Sequence, residues 1–446
     1  MTQPQHTVLA SVQATAGAPA VVDSASEWAS KPSDPAVLVD LASELPDRHP
    51  VLSGPQRTGA RNAPVELVKF HVPEVVFGPG ALSELGGCVR RLGGRRPFLV
   101  TDPGLAAAGW ADEAKAHLRN AGLRPVVWTD VTPNPKDMEI EAAYRRYQAS
   151  GSDVIVGVGG GSCIDAAKGV AILSGNGGHI LGYAGIDRVV QPIPPMVMAP
   201  STSGTGADVS QFAIVSDTTN NIKITIISRT LVPDVSVIDP RLLTTMPDSL
   251  NAATGLDALT HAIESFVSRA HNRLTDRHAL TAARLVAANL AKTIDEPMAA
   301  EPRIGMAQAA LEAGMAFTNA ILGATHAMSH QVGGLLDTPH GVVNGVLLPH
   351  VIRFNAATDP QRFVPLAAAI GIDTTNAPAD EIAESLAQRV RQLADAVGIP
   401  DGLAKLGVAE TDLPLLATTT LNDACLNTNP RSATQTDIED LFRTAL

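Results

Sequence analysis

Apolar and polar positions along the chain follow two different rhythms. Short apolar runs rich in β-branched residues recur at 97–101, 125–129, 154–158, 196–198, 223–228 and 235–239, each bounded by turn-forming or polar residues. Runs of that length separated by helical stretches predict strands of a parallel α/β sheet, whose ligands gather at the carboxyl ends of the strands. After Asn251 the apolar residues recur at helical spacing and alanine becomes prominent, with Pro349 and Pro400 as punctuation. The pattern predicts an α/β domain over about 64–249 and a helical domain over 250–446. There is no internal repeat.

The most regular of the strand signals is SDVIVGVGGGSCIDAAKGVAILSG, residues 152–175, in which Val154, Ile155, Val156 and Val158 meet glycines and then an alanine-rich helical pattern. It reads as strand, tight loop, helix. Gly159, Gly160 and Gly161 let backbone N–H groups approach an anion, Ser162 can cap, and the helix N-terminus adds positive partial charge, so the segment suits a pyrophosphate. It lacks the third glycine of a strict G-x-G-x-x-G and the G-K-S/T of a P-loop, so a plain tight turn also accounts for it. Asp102 follows the strand at 97–101. It is placed to accept from a ribose hydroxyl, and equally to act as a turn aspartate before Pro103.

Composition narrows the class. The 446 residues, 45% apolar and 17% charged, are ordinary for a globular chain of two or three domains. Acidic residues outnumber basic ones 45 to 33 without a basic run, which leaves poor footing for nucleic acid or anionic membrane. No apolar stretch reaches the roughly 18 residues of a membrane span. Cys88, Cys163 and Cys425 are odd in number and lack a C-x-x-C, as expected of free thiols in a reducing cytoplasm. The N-terminal residues 1–63, with prominent Ala, Pro and Ser and scattered acids, read as a mobile tail in which PAVLVDLASEL, residues 35–45, could form a short docking helix. They carry no signal-peptide or transit-peptide pattern.

Candidate chemistry lies in two stretches, GLDALTHAIES and GATHAMSHQVGGLLDTPHG. Helical spacing puts Asp257 and His261 on one face of a run marked by Leu256, Leu259 and Ile263, so a carboxylate and an imidazole point the same way. The second stretch offers His326 and His330, one turn apart, and His340 after a Gly-Gly loop, so three imidazoles compete for two places. Imidazole and carboxylate without thiolate suit Fe(II) or Zn(II) with an open coordination position, unlike a closed structural zinc site. Any one of these histidines is more often a hydrogen-bonded structural residue; the group together points to a metal.

From about residue 68 to the C-terminus the chain resembles the iron-dependent (group III) alcohol dehydrogenase family, which includes lactaldehyde reductase, 1,3-propanediol dehydrogenase and butanol dehydrogenases. The matching blocks are VVFGPGAL, VTDPGL, Asn134-Pro135, GGGSCIDAAK, PSTSGTGADVS, TGLDALTHAIES, THAMSHQVGGLLDTPHG and CLNTNPR. The resemblance implies an α/β dinucleotide-binding domain followed by an all-α metal-binding domain, the fold shared with dehydroquinate synthase. It implies metal ligation by Asp257, His261, His326 and His340, leaving His330 to handle the proton. It places Gly159, Gly160, Gly161 and Ser162 at the pyrophosphate, with Ser201, Thr202, Thr205 and Lys223 near the nicotinamide and its ribose. Asp102 would face the adenosine 2′-hydroxyl, which a 2′-phosphate could not replace beside a carboxylate, so NAD is expected over NADP.

The same resemblance implies a small alcohol or aldehyde as substrate and a homo-oligomer, a dimer or larger. Departures fall on the pocket. Ala207-Asp208 stands where many relatives have Ser-Glu, which should alter local hydrogen bonding. Phe212 replaces a small polar residue of lactaldehyde reductase, while Phe317 and Cys425 match pocket positions, so a substrate less polar than a diol is expected. The alternatives are a metal-free reductase of the maleylacetate reductase type, a lyase or cyclase like dehydroquinate synthase, a hydride-exchanging transhydrogenase with tightly held cofactor, and a low-turnover regulatory protein that binds metal and cofactor.

Overall fold

The two rhythms of the sequence become two lobes. The computed structural model describes residues 68–220 and 222–446; the tail expected over 1–63, with its helix at 35–45, lies outside the described residues. In chain order the strands are β1 (Glu74–Phe77), β2 (Pro97–Val100), β3 (Val126–Trp128), β4 (Val154–Gly159), β5 (Gly185–Ile186), β6 (Met196–Pro200), β7 (Phe212–Asp217), β8 (Ile222–Ile227) and β9 (Val235–Ile238). Six of them form an all-parallel sheet in the order β1-β9-β6-β4-β2-β3.

β4 is buried along its whole length because helices cover both faces. Ile155 packs with Ile164, Ala167 and Val170 of the Gly161–Asn176 helix. Val154, Val156 and Val158 face the other way, toward Leu85, Val89 and Leu118. That alternation is the period-two pleat of a strand, and coverage on both sides explains why the run reads as continuously apolar.

The expected strand at 223–228 exists, but in a different sheet. β8 pairs antiparallel with β7 and parallel with β5, forming a separate three-stranded sheet. The reason is local: only a short turn joins β7 to β8, too short for a parallel crossover. Asp217 closes it by accepting from the Thr219 and Asn220 N–H groups at 2.9 and 3.1 Å.

From Asp248 onward the chain is helical. Residues 251–267 of the Asp248–Val267 helix are buried without a break, so this helix is the centre of its lobe rather than an amphipathic surface element. Around it pack Arg273–Asp295, Ala300–Ala320 and His340–Ala356. Two sequence expectations change here. The Gly-Gly of the second histidine stretch is not a loop: Gly333 and Gly334 lie inside the Ala324–Leu336 helix, and the break comes at Asp337, in the left-handed region at φ 50°. Pro349 does not punctuate either. It sits inside the His340–Ala356 helix, where it only removes one donor, the partner of the Gly345 carbonyl. Both lobes belong to one compact unit, Val65–Leu446.

Candidate active site between the sheet and the helical lobe

Four side chains from three helices meet in the helical lobe. The Nε2 atoms of His261, His326 and His340 stand 3.8, 3.6 and 3.8 Å from one oxygen, Oδ1 of Asp257. Those separations are too long for hydrogen bonds. They lie just above the roughly 3.3–3.6 Å edges of a tetrahedron of ligands held at about 2.0–2.2 Å from a cation. Asp257, His326 and His340 each offer a ligand atom within 4.8 Å of the others, while His261 joins them through its distance to Asp257. Asp257, His261 and His326 are buried, and His340, which opens its helix, is partly exposed.

The other ring nitrogens are occupied elsewhere. Nδ1 of His261 lies 3.2 Å from the Gly204 carbonyl, Nδ1 of His326 lies 2.7 Å from Glu264 Oε2, and Nδ1 of His340 lies 3.1 Å from Ser329 Oγ. Such partners fix each ring and turn Nε2 toward Asp257, where His326 Nε2 also has Asn344 Nδ2 at 3.4 Å. Glu264 itself is buried, and it also accepts from the Gly323 and Thr325 N–H groups at 3.0 and 2.6 Å. Asn344 donates to Asp257 Oδ1 at 2.8 Å, while its own buried carbonyl oxygen has no partner among the described residues.

The electrostatics reflect a carboxylate among imidazoles. Burial alone would raise the Asp257 carboxyl, but His261, with His326 and His340, holds it well below the usual carboxylate range. Burial lowers His261 to about 4 and takes His340 well down. Burial also disfavours charge on His326, but Asp257 and Glu264 outweigh it and lift that imidazole to about 9. The carboxylates of Asp257 and Glu264 thus favour positive charge in the cluster.

At the carboxyl ends of the sheet the chain reverses its winding: β2 leads outward to β3, whereas β4 leads the other way to β6 and β9. The crevice outside β2 and β4 is where such sheets take ligands. Asp102 and the glycine loop border it, as parts of a cavity of about 840 Å³ that extends to Asp257, His261, His326 and His340. Asp102 is an N-cap: Oδ1 accepts from the Leu105 N–H at 2.9 Å, and Oδ2 accepts from the Cys163 thiol at 3.2 Å. The turn role is therefore present, on a residue that still lines the cavity.

Ser162 does not cap. Gly160 occupies the N-cap of the Gly161–Asn176 helix without a side-chain cap, and the Ser162 hydroxyl accepts instead from the Asn134 N–H at 3.1 Å. The glycines are set by crowding from the protein as well. A Cβ at Gly159 would meet Cys163 Sγ at 2.4 Å, at Gly160 Thr202 Cγ2 at 3.1 Å, and at Gly161 Thr205 Cγ2 at 2.9 Å. Ser201, Thr202 and Thr205 line the same cavity, and the buried Thr202 hydroxyl has no protein partner among the described residues. Lys223 reaches in from β8 and donates to Asn134 Oδ1 at 2.9 Å; burial lowers its pKa.

Phe212, Phe317 and Cys425 come together with Leu322 in one apolar cluster that lines the cavity beside the histidines. Phe317 stacks on His261 with ring centroids 4.3 Å apart. His330 points its Nδ1 at Asp423 Oδ2, 2.9 Å away, and its ring stacks on His340 at 5.2 Å. At the Ala207-Asp208 departure, Asp208 turns inward and accepts from Ser236 Oγ at 2.6 Å, so the substitution is absorbed in the core.

Sequence models described as iron-containing alcohol dehydrogenase, and as the C-terminal part of the Fe-containing alcohol dehydrogenase family, match residues 73–240 and 251–446. The chain is 42% identical over 382 residues to the 1,3-propanediol dehydrogenase of Citrobacter freundii, covering 85% of this chain and 99% of that one. The chain belongs to the iron-containing alcohol dehydrogenase family. Against the NAD-dependent methanol dehydrogenase of Bacillus methanolicus the identity is 35% over 381 residues, 85% of this chain and 100% of the other. A crystal structure of a 1,3-propanediol oxidoreductase superposes with a TM-score of 0.83 at 40% identity, covering 85% of this chain and all of that one.

Within this alcohol dehydrogenase several site residues carry a signal that a reading confined to ligand types passes over. Glu264 stands three residues after His261 and seven after Asp257, on the same helical face, and Asn344 is one turn beyond His340. Asp423 lies two residues before Cys425. Asp337 gives no such signal. It comes from the end of the Ala324–Leu336 helix to accept from Asn134 Nδ2 at 2.6 Å, a contact only the fold creates.

Proposed function

We propose that this alcohol dehydrogenase transfers hydride between a nicotinamide dinucleotide and a small primary alcohol or aldehyde, with Asp257, His261, His326 and His340 holding Fe(II) or Zn(II). In this reading residues 64–249 hold the dinucleotide and residues 250–446 the cation. The observation that carries it is the convergence of three Nε2 atoms on one carboxylate oxygen at 3.6 to 3.8 Å, with every Nδ1 already engaged. A divalent ion there would supply a Lewis acid, which polarises a carbonyl and strongly lowers the pKa of a bound hydroxyl.

The protein's own groups do the rest. The uncapped helix N-terminus at Gly160 and Gly161, with Ser162 beside it, offers backbone N–H groups to a pyrophosphate. Asp102 accepts from the adenosine 2′-hydroxyl and repels a 2′-phosphate, favouring NAD. Ser201, Thr202, Thr205 and Lys223 flank the nicotinamide end, where the unpartnered Thr202 hydroxyl awaits an acceptor or donor. Phe212, Phe317 and Cys425 make an apolar, water-excluding wall that suits an alkyl chain better than a diol. His330 donates Nδ1–H to Asp423, so its Nε2 is left to accept the hydroxyl proton and pass it toward solvent. Assembly as a homo-oligomer, a dimer or larger, belongs to the same proposal; light scattering on purified protein reads it.

The test is steady-state turnover of metal-loaded protein with NAD and a panel of C2 to C6 primary alcohols, followed at the nicotinamide absorbance, with and without chelator. Metal-dependent NADH formation that favours the less polar alcohols is expected. Flat traces from protein with metal and cofactor bound, even with an aldehyde acceptor added, would sink the reading in favour of a regulatory one.

A further inference from the structure

A second group of ligating side chains, two of which line the cavity, shares no residue with the first. One ligand atom each from His330, Asp423 and Cys425 lies within 4.8 Å of the others. Two elements bring them together. His330 comes from the Ala324–Leu336 helix, and Asp423 caps the short Ala424–Thr428 turn by accepting from the Cys425 N–H at 2.9 Å, which sets carboxylate and thiol on the same side. Nδ1 of His330 already sits 2.9 Å from Asp423 Oδ2, a spacing adjacent ligands of one ion can hold. The Cys425 side chain is only 2% exposed to solvent, yet it borders the cavity together with His330, so an ion arriving through the cofactor crevice can reach both.

The donor sets differ in kind. Asp257 and its three imidazoles contain no sulfur, whereas the second group offers nitrogen, oxygen and sulfur, the combination thiophilic cations select. Its two anionic ligands also neutralise a divalent charge, which matters because the His330 and His340 rings stack at 5.2 Å and a first cation would lie close by. Three protein ligands leave a fourth position open.

We propose that His330, Asp423 and Cys425 form a second, inhibitory cation site for a thiophilic divalent ion such as Zn(II) or Cd(II). On binding, the Cys425 S–H bond breaks and one proton leaves to solvent, while the sulfur pair goes to the metal. The His330 proton moves from Nδ1 to Nε2 as Nδ1 takes the ion, and Asp423 contributes a carboxylate oxygen. The imidazole then carries hydrogen on the nitrogen that faces the cavity and can no longer accept one. Ion binding stands on the geometry alone; the loss of turnover rests on the proton role proposed for His330.

The experiment uses full-length protein loaded with one equivalent of Zn(II) per chain and titrated with Cd(II), reading the ultraviolet charge-transfer band of a Cd–thiolate bond and the proton released. Exchange at the first site is silent in this assay because it holds no thiol. One band saturating at one Cd(II) per chain is expected, lost in Cys425→Ser and retained in Cys88→Ala and Cys163→Ala. His330→Gln, which leaves the thiol in place, should weaken Cd(II) binding about tenfold or more. Turnover should fall in step with the band. No band, or one that survives Cys425→Ser, overturns the site. A full band with undiminished turnover overturns the inhibition and, with it, the role of His330 as proton acceptor.

Discussion

Single side chains carry the proposed choice of cofactor and of ion. Asp102 presents a carboxylate to the crevice while spending one oxygen on the Leu105 N–H and the other on the Cys163 thiol. A charged hydrogen bond of this kind contributes roughly 1.5–3 kcal/mol, so Asp102→Gly should lower the NAD over NADP ratio of kcat/KM by about ten- to a hundredfold; an unchanged ratio would remove Asp102 from cofactor selection. Glu264 holds His326 through Nδ1 and also two backbone N–H groups. Glu264→Gln keeps the volume but turns an amide donor toward donors, and metal affinity of the apoprotein should fall about 10–100-fold by calorimetric titration. In Fe(II)-loaded protein His330→Ala should slow turnover while iron content, measured by elemental analysis, stays full; concurrent loss of iron would make His330 a ligand of the first ion instead. Residue types and spacing pick out Asp257, His261 and the three later histidines as a group, and the glycine loop as a turn before a helix, but the choice among His326, His330 and His340 comes only from the family resemblance. Glu264 and Asn344 were equally regular in spacing but belong to residue types that fill many structural roles, so nothing short of the packed helices singles them out.

Helices and their contacts turn these residues into a site. Gly341 follows His340 immediately, and a Cβ there would stand 2.0 Å from the Ala253 carbonyl oxygen, on the helix that carries Asp257 and His261. Only a glycine lets the two backbones close to this distance. Gly341→Ala should therefore push the His340 helix outward, destabilising the apoprotein by about 1–3 kcal/mol in denaturant unfolding and weakening metal binding as well. Stability lost with metal affinity unchanged would mean the contact supports the fold but not the site. The sequence was least informative at this scale where a feature depends on partners. β8 reads as a strand, but β7 and the separate sheet the two form do not, because pairing is chosen by the turn at Asp217. Pro349 reads as a break, yet neighbours on every side keep its helix intact.

At the scale of the whole molecule the helical lobe encloses buried polar groups within a large apolar core, and stability should follow what satisfies them. A cation that binds only the folded chain adds about 2.7 kcal/mol at a free concentration a hundredfold above its Kd, so chelation should lower Tm measurably, and re-addition should restore it. A separate acid sensitivity comes from His350, which burial, helped by Arg353 and Arg391, depresses to about 4. Its unfolded value is about 6.5, so as pH falls the unfolded chain takes up the proton first. The contribution is complete above about 6.5 and is lost as pH drops toward 4. His350→Asn should flatten the fall of Tm over that window, and an unaltered slope would place the acid sensitivity elsewhere. No helix among the described residues is long and apolar enough to cross a membrane. Hydride transfer as proposed needs four side chains closing around one ion at the edge of the cofactor crevice. Anomalous diffraction from crystals of Fe(II)- or Zn(II)-loaded protein, recorded on either side of the metal's absorption edge, measures that directly. A peak bounded by Asp257, His261, His326 and His340 is the predicted result with either metal; a fully loaded crystal with no peak there would contradict it.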